Sequence, residues 1–149
     1  MSATESKLTA AHAEVKAEIA RTDTKTSLLL AFVGALLAGT WTIAKDASLT
    51  TPAYVVGGLG TAPLLAAAGL LLRSVRPNLG GRHGFPLWAT LTAEQISAAL
   101  ATDLTADIAG LSRIAVAKFT GLKRAVDLTC AGGALLVLAA LLAVGGAVA

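Results

Sequence analysis

The sequence predicts an all-α integral membrane protein: three transmembrane helices, with two cytoplasmic amphipathic helices extending spans one and three. Three observations predict it. Charged residues make up only 14% of the 149-residue chain, against about a quarter in soluble domains, and mean hydropathy is +0.72. Three runs carry no charge at all, Thr26 to Ala44, Ala47 to Leu72 and Leu128 to Ala149, the shortest being 19 residues. About 20 apolar residues in a helix cross a hydrocarbon core roughly 30 Å thick. Finally, the stretches leading into the first and third runs repeat apolar side chains every three or four residues, the period of one helix face. The length suits one domain, so 1–149 is read as a single membrane domain.

The first element is a helix over 4–25. Leu8, Ala11, Val15, Ile19 and Thr22 fall on one face, with Lys7, Glu14, Lys16 and Glu18 on the other. No glycine or proline interrupts it before Gly34, so it is expected to continue into span one, 26–44. The 25 residues before that span include four acids. This does not fit the short basic start of a signal peptide, and a retained signal-anchor is expected. Span two, 52–72, begins near Pro52, which suits a first helical turn, and Pro63 is expected to kink or loosen it. Trp41 and Tyr54 flank the short loop between these spans, as an aromatic belt at one interface does.

Residues 73–91 read as a loop, marked by R-P-N-L-G-G-R-H-G-F-P at 76–86. It is either a flexible connector or an anion contact, with backbone amides assisted by Arg82 and His83. A helix over 92–125 follows. Thr92 and Gln95 supply a capping box, T-A-E-Q. Ile96, Leu100, Leu104, Ile108, Leu111 and Ala115 form its stripe, with Asp103, Asp107 and Arg113 off it. The stripe is expected to run through Phe119, Leu122 and Val126 into span three, 128–149. These apolar faces require cover from each other, another subunit or the lipid headgroups. Packing within a bundle or a homo-oligomer is the preferred reading. No external domain is expected after span three.

Basic residues set the orientation. Lys7, Lys16, Arg21 and Lys25 precede span one, and Arg73, Arg76, Arg82, Arg113, Lys118, Lys123 and Arg124 lie between spans two and three. The loop between spans one and two has Lys45 alone. By the positive-inside rule the N-terminus and the long connection face the cytoplasm of a bacterial inner membrane, and the C-terminus faces out.

Chemistry-bearing motifs are absent. The sequence has no G-x-S-x-G, H-E-x-x-H, C-x-x-C or phosphate-cradling glycine loop, so no catalytic residue is assigned and an enzyme is not expected. His12 and His83 lie far apart without a partnering cysteine, so neither a metal site nor a cofactor is expected. Cys130 is the sole cysteine; in its apolar run it reads as a buried inert thiol. A net charge of +3 without aromatic–basic interleaving gives no reason to expect nucleic acid. The deep spans offer only Thr40, Thr42 and Thr61 as polar groups, which disfavours a channel or ion-coupled transporter. Small residues at close spacing (Ala31, Ala35 and Gly39 with Gly34 and Ala38 in span one; Gly57, Gly58, Gly60, Thr61 and Ala62 in span two; Ala139, Ala143 and Ala147 with Gly132 and Gly133 in span three) point to close helix packing, within or between chains.

Charge collects where helices meet spans. Arg21 and Lys25, four apart, share a face near the inner headgroups. Asp23 lies off that face, at a depth where a carboxylate is costly unless paired or solvated; a base of the second amphipathic helix, such as Lys118 or Arg124, is a candidate partner. Asp127 abuts span three, with Lys123 and Arg124 one turn before it; it reads as a proton or ion site or, more commonly, as a carboxylate that snorkels to the interface or pairs with a neighbouring base such as Arg124.

The stretch R-T-D-T-K-T-S-L-L-L-A-F-V-G resembles the opening of the Pycsar transmembrane effector family, with its Asp-x-Lys-[Ala/Thr]-Ser motif entering span one: here Asp23, Lys25, Thr26 and Ser27, followed by Gly34. Leu72, Arg73, Arg76, Pro77 and Lys118 match the layout that follows, and the resemblance covers nearly the whole chain. It implies a defence effector against phage that answers a cyclic nucleotide, made by a partner nucleotide cyclase, by impairing the inner membrane. No β-rich nucleotide-binding domain is present, so sensing would fall to the cytoplasmic helices or the 76–86 loop. Arg21, Lys25, Arg82 and Lys118 are then the candidate phosphate contacts, and Asp23, Arg124 and Asp127 the switch or structural pairing residues. The competing expectation is a scaffolding membrane protein that recruits a cytoplasmic partner.

Overall fold

The computed structural model describes residues 3–47, 49–76, 89–96 and 104–148. Three long helices dominate: α1, Ala3–Asp46; α2, Thr51–Val75; and α3, Leu104–Val148. Each is long and apolar enough to cross a membrane. No strand occurs among the described residues. α1 and α3 each carry a charged first half and an apolar second half in one uninterrupted helix, since no proline falls in either. α2 starts as Tyr54 donates to the Thr50 carbonyl at 3.0 Å. Pro63 lies inside it and leaves the Leu59 carbonyl without its usual donor.

The chain divides into two compact units. One comprises Met1–Asp23 with Arg76–Phe119, the other Thr24–Val75 with Thr120–Ala149. In the second unit a small core gathers Val33 of α1, Leu64, Ala67 and Leu71 of α2, and Ala125 of α3, all essentially inaccessible. Leu29, Leu37, Leu122 and Leu136 pack around it. α2 and α3 cross closest where glycine meets glycine. A Cβ at Gly132 would stand 2.8 Å from the Gly60 carbonyl oxygen and 2.7 Å from Leu64 Cγ, so only a residue without one permits the approach. Two hydroxyls in this unit return to their own helix: Thr129 donates to Ala125 O at 2.7 Å, and Thr40 to Leu36 O at 2.7 Å.

Small residues do not all serve packing. Gly34 and Gly39 of α1 have open space where a Cβ would go, and Ala31 and Ala35 are exposed. Bulky residues pack α1 instead. Cys130, expected buried, is exposed, because the inward positions of α3 around it are Thr129 and Gly132. Trp41 and Tyr54 are 74% and 62% exposed, the outward placement an interfacial ring adopts.

In the first unit the inward positions of α1 are Leu8, Ala11, His12, Val15, Ile19 and the fully buried Thr22. On α3 they are Leu104, Asp107, Ile108, Leu111, Ala115 and Lys118. The expected stripe thus needs correcting at two points. Asp107 lies on the inward face rather than off it, and Phe119 is exposed while Lys118 takes the inward place. The same one-residue offset recurs in the second unit, where Ala125 is buried and Val126 is 41% exposed. Strict alternation of three and four residues keeps one seam inward, and that alternation lands on Lys118 and Ala125.

Candidate functional site

The polar residues on this seam of the first unit form the candidate site. Lys118 Nζ of α3 lies 2.5 Å from Asp23 Oδ1 of α1, with side chains 24% and 47% exposed. The lysine occupies a position that apolar spacing gives to the seam. At that position the ammonium reaches the carboxylate. Beside Asp23, the buried Thr22 hydroxyl donates to Glu18 O at 2.9 Å. Arg21 pairs with Glu18 on its own helix at 3.3 Å. That pair is exposed and contributes little.

A second polar contact lies deeper into the unit. His12 Nε2 is 3.5 Å from Asp107 Oδ2, with side chains 17% and 27% exposed. The distance permits attraction to a protonated imidazole, yet Nε2 is buried and makes no hydrogen bond among the described residues. The contact is therefore a charge proximity, not a directed bond. Both pairs join residues 95 apart, and each helix advances by the same 11 residues from one pair to the other. Eleven residues are about three turns, roughly 16 Å, so both pairs sit on one face of each helix. Equal steps in the same sense make α1 and α3 parallel here, with the two pairs fixing their register.

The other candidate residues do not join this site. Lys25, Arg124 and Asp127 belong to the second unit, are exposed, and have no ion pair among the described residues. Arg82, with the 76–86 loop beyond Arg76, lies outside the described residues, as do Leu100 and Asp103. The His12–Asp107 contact was missed by sequence reasoning, which weighed His12 only against zinc. Its signal was the shared 11-residue step. A shallow apolar depression beside the seam is lined by Ser112, Arg113, Val116 and Ala117. The described residues hold no cluster of three or more His, Cys, Asp or Glu side chains suited to a metal.

The capping box is formed. Thr92 N–H donates to Gln95 Oε1 at 2.9 Å, Gln95 N–H approaches Thr92 Oγ1 at 3.4 Å, and a helical turn runs over 93–96. Within it the Glu94 carboxyl is held below its ordinary range, chiefly by its own backbone amide and then by the Thr92 hydroxyl.

Across the chain, residues 7–145 match the family model of the Pycsar effector protein domain. The chain belongs to the Pycsar effector family. No curated protein and no solved structure matches it. The matched range takes in both polar pairs, the first two apolar runs and the third as far as residue 145. Membership supports a bacterial anti-phage defence effector. With three helices fit to span, it also supports a membrane location for this Pycsar effector.

Proposed function

We propose that this Pycsar effector impairs the bacterial inner membrane when a cyclic-nucleotide second messenger appears, and that the messenger acts by displacing Asp23 from Lys118. The observation that carries this reading is the Lys118–Asp23 ion pair, formed between the two helices that continue as charge-free spans. A cyclic nucleotide presents one phosphate charge, the same chemistry as the Asp23 carboxylate, so it competes for the same ammonium. The energies favour exchange. A pair this exposed contributes about 1 kcal/mol or less, and a ligand at about ten times its Kd supplies RT ln(1 + [L]/Kd), about 1.4 kcal/mol. Losing the pair releases the register of α1 against α3, and the rearrangement passes along both helices into the spans. In this reading the chain catalyses nothing and needs no metal or cofactor. A nucleotide cyclase is its functional partner, and its N-terminus and the connection between α2 and α3 face the cytoplasm.

The test is membrane integrity in cells producing the chain, with and without cyclic nucleotides, following propidium uptake and membrane potential together. Depolarisation that requires a nucleotide supports the reading and names the ligand. Depolarisation without any nucleotide removes the trigger from this chain. Intact membranes under every condition would favour the scaffold reading, in which the parallel helix pair holds a cytoplasmic partner.

A further inference from the structure

We propose that the outward face of α3 in the second unit is where a second copy of this chain docks, each copy's Asp127 meeting the neighbour's Lys123 and Arg124. All three residues are exposed and have no ion pair among the described residues. Asp127 stands immediately before the charge-free run Leu128–Ala149, where an unpaired carboxylate is costly. Its own helix offers a poor partner, because a base placed four residues before an acid is the weaker order for an intrahelical pair. A lipid headgroup offers at best a mixed one, since any ammonium that attracts the acid is tethered to a phosphate that repels it. A second copy supplies what is missing. Membrane insertion orients all copies alike, so Lys123 and Arg124 of a neighbour lie within about one turn, roughly 5 Å along the axis, of this Asp127. The surface is self-complementary in charge, so a two-fold pair of copies satisfies both acids.

The apolar part of the same face extends it. At about 100° per residue, Lys123, Asp127, Cys130 and Leu141 fall within a sector of roughly 60°, and Leu141 is 65% exposed. The first unit, taken by itself, also leaves apolar α3 surface bare, with Val116 66% and Phe119 39% exposed. The proposal does not depend on what triggers the effector, so its test uses no nucleotide and its failure leaves the nucleotide reading untouched.

Cys130, the only cysteine and exposed on this face, reports the contact directly. Copper–phenanthroline oxidation of native membranes holding the full-length chain should give a covalent dimer. Asp127→Lys should reduce it about fivefold, the factor of an exposed ion pair at the top of its usual range, and Asp127→Asn should reduce it less. The swap Lys123→Asp/Asp127→Lys, which restores opposite charges, should recover most of the dimer. A cysteine at position 32 in a Cys130→Ser background, on an exposed face of α1, should give far less. Equal crosslinking by wild type and Asp127→Lys overturns the proposal. So does equal crosslinking through position 32, which would mean random collision with lipid covering α3. A swap that fails to recover the dimer while inserting normally also overturns it.

Discussion

At the residue scale the decisive magnitude is how little Asp23 and Lys118 need to contribute. The carboxylate is nearly half exposed, so water screens the pair. A double-mutant cycle with Asp23→Asn and Lys118→Gln should give a coupling of about 0.5–1 kcal/mol in detergent unfolding, smaller at high salt. Asp23→Ala should raise basal membrane permeability without abolishing insertion. Permeability equal to wild type at every nucleotide level would remove Asp23 from the switch. Glu94 gives the pH-sensitive case. Its folded carboxyl titrates below the ordinary value, so the stabilisation it lends the 93–96 turn is present above that value and is lost as pH falls through the lowered one. Thr92→Ala should move the Glu94 titration partway back up, read by carboxyl carbon NMR. The return should be incomplete, because the backbone amide is the larger cause. The sequence made Asp23 legible because an acid at a span's edge demands a base, and Lys118 was one of two candidates. His12 and Asp107 were not legible, because a polar residue on an apolar stripe is read as off it until the partner helix is placed.

At the element scale the crossing of α2 and α3 depends on two glycines, and neighbouring glycines provide the control. Gly132→Ala would drive a Cβ against backbone oxygen and Leu64. It should cost about 1–3 kcal/mol, as overpacking does. Gly133 has nothing within 4 Å of its missing Cβ, so Gly133→Ala should be neutral or slightly stabilising. Unfolding midpoints of both variants in one detergent check this, and equal midpoints would mean that the close crossing does not limit stability. Helix existence was plain from charge-free runs and capping signals. Which small residues carry contact was not, because an alanine- and glycine-rich sequence places them on every face. Span one offered the more regular series, yet its glycines look outward while Val33 and its leucine neighbours pack. Phase along α3 was misread by one residue at Phe119 and Val126 for a related reason. An apolar residue was preferred to Lys118 at a position that spacing alone would have assigned to the lysine.

At the scale of the whole molecule, three helices cannot cover themselves. Only 6%, 22% and 17% of the most apolar window of each long helix is buried, so most of that surface needs lipid or another copy. This is why composition alone identified a membrane protein, and why no sequence argument could say which apolar face meets lipid and which meets protein. Orientation is the property on which the proposed trigger depends, since a nucleotide made inside the cell reaches Lys118 only if the first unit faces the cytoplasm. Eleven of the twelve basic residues lie before the first charge-free run or between the second and the third, and Lys45 alone occupies the short loop. Under the positive-inside rule this bias places Ala47 outside and Ser6 inside. In a Cys130→Ser background, Ala47→Cys should react with a membrane-impermeant maleimide in spheroplasts, and Ser6→Cys only after permeabilisation. The reverse pattern would put Lys118 on the far side of the membrane from any cytoplasmic nucleotide, and the displacement of Asp23 would then require a ligand from outside the cell.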